Sequence, residues 1–143
     1  MTNEPQQQTA ARLHQLAKMW ISVAADRRRA ADAEADKVWS ARQYGIADTY
    51  EDAALHIQQV LDEAGRSPGS APDWQAVFKE WAALAEQVLG LAAMDDNRIT
   101  VAYRRSGGEA YLEAIVVLRA ALEGDPQPGA MDDLRHMLDE NRD

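Results

Sequence analysis

The sequence predicts an all-α protein, an irregular bundle of four or five helices with a long N-terminal helix. Apolar residues recur at three- and four-residue spacing along most of the chain, the signature of amphipathic helices. Glycine and proline are few, eight and five in 143 residues, and they gather between those stripes. The most β-branched stretch, Ile99 to Tyr103, is too short and isolated to build a sheet, so it reads as a helix continuing or restarting.

Residues 9–44 hold no Gly or Pro and are rich in the good helix formers Ala, Arg, Gln and Glu. Leu13, Leu16, Ala17, Trp20, Val23 and Ala24 form one stripe; it weakens over Asp26 to Asp36 and resumes at Val38 and Trp39. With no strong breaker inside, the stretch reads as one helix about 54 Å long at 1.5 Å per residue. A compact chain of this size has a radius of gyration of only about 15 Å. Such a helix overhangs the bundle or pairs with another chain. Residues 1–8 are polar and read as a disordered N-terminus, with 9–140 as a single helical domain.

Gly45 is the first candidate break, with Asp48 or Thr49 capping a second helix that carries Ile46, Tyr50, Ala53, Ile57, Val60 and Leu61; the alternative is a helix that runs through Gly45 with only a kink, because this stripe stays in phase with Trp39. Residues 65–72 are an unambiguous loop, and Ser70 with Asp73 reads as a capping box for the next helix. That helix has the clearest stripe in the chain: Trp74, Val77, Phe78, Trp81, Leu84, Ala85, Val88 and Leu91. Apolar residues nearly encircle the next helix, from Tyr111 to Leu122, which marks it as central. Gly124 ends it, and Met131, Leu134, Met137 and Leu138 suggest a short last helix.

Composition excludes several classes. With no Cys there are no disulfides, thiolate metal sites or Cys nucleophiles. No apolar run approaches the roughly 20 residues of a membrane span, and the first residues lack a signal peptide's pattern, so the expectation is a cytoplasmic protein away from membranes. The net charge of −9 is uneven: residues 1–44 hold seven basic against five acidic side chains, net +2, and 45–143 hold eight against nineteen, net −11. That balance disfavours binding free duplex nucleic acid. Arg27-Arg28-Arg29 is the densest basic run, but successive helical residues diverge by about 100° and cannot form one flat patch.

Candidate chemistry is sparse. Gly65-Arg66-Ser67-Pro68-Gly69 matches a hydrolase nucleophile elbow in letters only. It follows a helix rather than a strand, and Pro68 removes the donor an oxyanion hole would need after the serine. Asp52 with His56, and Asp133 with His136, have helical spacing but do not complete a metal set. No cofactor or metal is expected. Arg104-Arg105-Ser106-Gly107-Gly108 is the better lead: read as a helix start, it sets two cations, Arg104 and Arg105, beside bare backbone N–H groups at Gly107 and Gly108, a possible anion contact.

The functional expectation is a non-catalytic protein–protein interaction module, self-associating as a homodimer or binding another protein through Leu13, Leu16, Trp20, Val23 and Trp39 of the long helix. The alternatives are an acidic inhibitor or nucleic-acid mimic that binds a basic protein surface, or a small helical subunit of a larger nucleoprotein complex.

Overall fold

A computed structural model of the chain describes residues 4–67, 69 and 71–124. These form four helices: α1 (Glu4–Ala33), α2 (Lys37–Arg66), α3 (Trp74–Ala93) and α4 (Arg98–Leu122). No strand occurs among the described residues. The expected last helix around Met131 to Leu138 lies outside them, as does the Asp133/His136 pair. None of the four helices is long and apolar enough to cross a membrane.

The long N-terminal helix is in fact two. Residues 9–44 break at Glu34–Asp36, where three acidic and polar side chains take over the backbone's hydrogen bonds. The Glu34 carboxylate accepts from the N–H groups of Ala35 (3.1 Å) and Asp36 (3.2 Å). Asp36 caps α2 by accepting from Val38 (3.0 Å) and Trp39 (3.2 Å). The Ser40 hydroxyl donates back to the Ala31 carbonyl at 2.9 Å. Short acidic side chains compete with the helix for its own donors and so favour caps. The chain therefore folds back, and α2 packs along α1 instead of extending it. The other end of α1 starts at Glu4, so residues 4–8, read as disordered, are helical.

The expected break at Gly45 does not occur; α2 runs through it. Gly45 is where α2 crosses α4. A Cβ there would fall well inside the contact distance of the Tyr103 carbonyl oxygen and 3.2 Å from the Gly107 nitrogen. Beside it, the Thr49 hydroxyl donates to the Gly107 carbonyl across 3.1 Å. On its other flank α4 meets α3, where a Cβ on Gly108 would lie 2.6 Å from the Leu89 Cγ. Adjacent glycines thus let α4 pack closely against both α2 and α3, but it is not covered all round as its apolar periphery predicts: Leu112 and Val116 stay about half exposed.

Asp73 caps α3 by accepting from Ala76 N–H (3.1 Å), and Asn97 caps α4 by accepting from Ile99 (3.0 Å) and Thr100 (3.1 Å). The stretch from Ile99 to Tyr103 is thus the first turn of α4. Gly124, with φ 76°, takes the left-handed conformation just after the C-cap of α4, where glycine avoids a Cβ clash.

Candidate functional site

The five residues expected to form an intermolecular interface face into the chain's own core. Leu13 is 1% exposed, Leu16 9%, Trp20 0%, Val23 7% and Trp39 5%. Once the helix turns back at Glu34–Asp36, the α1 stripe is covered by α2 and α4. Trp20 centres an aromatic cluster, with its ring 5.3 Å from Tyr50 and 6.2 Å from Trp81. The interface assignment is corrected on this point: the stripe is already buried within one chain and offers no free surface. Gln43 is fully buried on the same side of α2, and neither its amide nitrogen nor its oxygen has a protein partner among the described residues.

The basic run is partly absorbed by the chain's acids. Arg28 donates to Asp48 at 2.6 Å and to Glu51 at 2.8 Å, and Arg29 pairs with Asp26 one turn back. Its hydrogen bonds to Glu51 and then to Asp48 raise the Arg28 pKa further above its ordinary value. Asp48 also accepts a hydrogen bond from the Tyr103 hydroxyl. Burial first, and then the neighbouring charges of Asp48 and Glu51, push the Asp52 carboxyl up.

Three tyrosines share an upward shift. Burial raises Tyr50, with Glu113 adding to it. Burial and then the hydrogen bond to Asp48 push Tyr103 up to about 12. Burial raises Tyr111, with smaller effects from Asp52 and Glu80. The sign of the consequence is fixed. Below pH 10 folded and unfolded chains both keep these protons. Above it the unfolded chain loses them while the folded chain retains them, so stability falls as pH rises. Tyr50, the most buried, is expected to contribute a fall of about 1.4 kcal/mol per pH unit above pH 10. Urea denaturation between pH 8 and 11 measures this. Tyr50→Phe, which removes a hydroxyl with no protein partner among the described residues, is expected to flatten the slope without loss at pH 8. An unchanged slope would show that Tyr50 does not titrate this way.

The G-x-S-x-G match does not become a nucleophile. Gly65 and Arg66 end α2, and Ser67 is its C-cap. Ser67 does share a cavity of about 380 Å³ with His56 and Glu80, which invites comparison with a catalytic triad. The imidazole is already committed, however. His56 Nδ1 accepts from the Trp81 indole N–H at 2.9 Å, and Nε2 faces Glu80 at 3.3 Å. A general base needs a nitrogen lone pair aimed at the serine hydroxyl, and here that lone pair holds Trp81. His56 instead fixes the aromatic cluster. Its expected partner Asp52 does not join it in a metal set: among the described residues no group of three or more His, Asp or Glu is placed to hold an ion.

The anion contact expected at Arg104, Arg105, Gly107 and Gly108 is rearranged. The glycines lie in the middle of α4, not at its start, so their N–H groups are used within the helix. Arg104 turns to Asp95 at 3.3 Å. Arg105 lines a groove of about 460 Å³ where the second turn of α2 meets the first half of α4. Arg42 and Arg98 line the same groove, and sequence reading passed over both. Arg98 and Arg105 stand seven residues apart on one helix, which places them on one face and was legible; Arg42 comes from another helix and was not.

Comparison with known proteins finds no matching family model, no matching characterised protein and no matching solved structure.

Proposed function

We propose that the chain is a non-catalytic protein–protein interaction module whose docking face is the outer side of α3 and α4, and that a second copy of the chain is its simplest partner. The observation that carries this is the mismatch between the composition of α3 and its cover. It is the most apolar of the four helices, and Ala82 to Met94 contains one charge, Glu86. Yet only five of its twenty residues, Val77, Phe78, Trp81, Ala85 and Ala92, are buried. Exposed apolar side chains follow: Leu91 on α3 is 43% exposed, Met94 at its C-cap 85%, and Leu112 and Val116 on α4 46% and 58%. Large apolar side chains left exposed on neighbouring helices favour association, because contact removes them from water. A two-fold pair covers the same face on both chains at once.

Size-exclusion chromatography with light scattering tests this. The wild-type chain is expected to run as a dimer, and Leu112→Asp/Val116→Asp as a folded monomer, with dimer affinity reduced at least about tenfold, or 1.4 kcal/mol. Both positions are half exposed, so helix content should not change. A wild-type monomer at all concentrations, or a dimer unmoved by the double substitution, would contradict the proposal.

A further inference from the structure

We propose that the groove lined by Arg42, Arg98 and Arg105 binds a phosphorylated small molecule that also carries hydroxyl or amino groups. The groove measures about 460 Å³, within the range of pockets that take nucleotide-sized ligands. None of its three guanidinium groups is ion-paired within the described residues, although the chain holds 24 acidic side chains against 15 basic ones. The three guanidinium groups share the lining with Asp95, Asp96 and Glu109 but form no ion pair with them, so each keeps its donors for a ligand. Guanidinium is also the side chain best matched to phosphate, since its planar fork donates two parallel hydrogen bonds.

A second observation points the same way. Ser106 lines the groove, is only 8% exposed, and its hydroxyl makes no hydrogen bond among the described residues. The hydroxyl is open to the groove rather than sealed in the core, so its donor can turn to whatever enters. The first backbone donors of α4 are not the reason, because Asn97 already holds those of Ile99 and Thr100. The anion rests on side chains, aided by the positive end of the α4 dipole at Arg98.

The groove also contains carboxylates, and they define the rest of the ligand. Asp95 is occupied, pairing with Arg104 and accepting the Asn97 N–H at 2.9 Å. Asp96 and Glu109 are exposed and not ion-paired within the described residues. They would repel a bare anion but accept hydrogen bonds from hydroxyl or amino groups. A nucleotide has both halves, an oxyanion for the arginines and donors for the carboxylates.

Titration calorimetry with ADP and with inorganic pyrophosphate, at low salt, tests this on the full chain. ADP is expected to bind saturably at one site per chain and more tightly than pyrophosphate, and to weaken as salt rises. A protein of net charge −9 repels anions in general, so saturable binding requires a local site. Arg42→Gln/Arg105→Gln is expected to weaken ADP at least tenfold, and Ser106→Ala several-fold. Both arginines are partly or wholly exposed, so circular dichroism should confirm that the double variant folds. No saturable binding of either probe, or equal binding to the double variant, would overturn the site. Equal affinity for the two probes would overturn the role given to Asp96 and Glu109.

Discussion

Trp20→Ala is expected to destabilise the folded chain by about 3–5 kcal/mol, the range for truncating a fully buried aromatic. Trp20 is completely covered and touches two other fully buried rings, Tyr50 and Trp81. Its removal leaves a cavity bounded by three helices, and the rings around it are themselves fixed, Trp81 by its hydrogen bond to His56. Against a typical domain stability of 5–15 kcal/mol, such a loss approaches unfolding. Urea denaturation followed by circular dichroism gives the number. The oligomeric mass of whatever remains folded should equal that of the wild type. If Trp20 were instead an interface residue, the variant would keep its unfolding midpoint and lose half its mass.

Gly45→Ala is expected to cost about 3 kcal/mol, at the upper end of what overpacking does. The added methyl meets the Tyr103 carbonyl and the Gly107 nitrogen, which belong to the backbone of α4 and cannot move by changing rotamer. The two helices must separate, and the Thr49 to Gly107 hydrogen bond is strained with them. Gly108→Ala meets the Leu89 side chain and the Ala85 carbonyl at 3.3 Å, and the leucine can shift, so a smaller loss is expected. Gly90→Ala is the control, since nothing lies within 4 Å of its added methyl. In an open helical position that change is expected to stabilise by about 0.5–1 kcal/mol. If Gly45→Ala were as harmless as Gly90→Ala, α2 and α4 would not cross where they are placed.

The same residues show which parts of the fold were legible. The stripe from Trp74 to Leu91 gave α3 directly and that from Tyr111 to Leu122 gave the second half of α4, because amphipathic spacing is a local property; the first half was separated from it by a helix start read at Ser106–Gly108 that the structure does not have. The turn at Glu34–Asp36 was written in the sequence too, but by capping chemistry in a stretch without Gly or Pro. Gly45 misled for the opposite reason: it resembles a breaker, and its true role depends on α4, more than fifty residues away. That one misplaced turn carried over to function. Without the fold-back, Trp20 and Trp39 look exposed, and a core stripe resembles an interface. Arg105, read as an anion contact, lines a groove, while its glycines proved to be crossing points and its neighbours Arg42 and Arg98 emerged only when two helices met.

The claim on which the rest depends is that one chain buries its own aromatic stripe. Iodide quenching of tryptophan fluorescence in Trp74→Phe, at concentrations where the chain is monomeric, tests it most directly. This variant keeps Trp20, Trp39 and Trp81, which are 0%, 5% and 1% exposed. The expected result is blue-shifted emission that iodide scarcely reduces in the native state and reduces fully in urea. Emission quenched in the folded monomer to near the extent seen in urea would contradict it, and would return α1 to the surface.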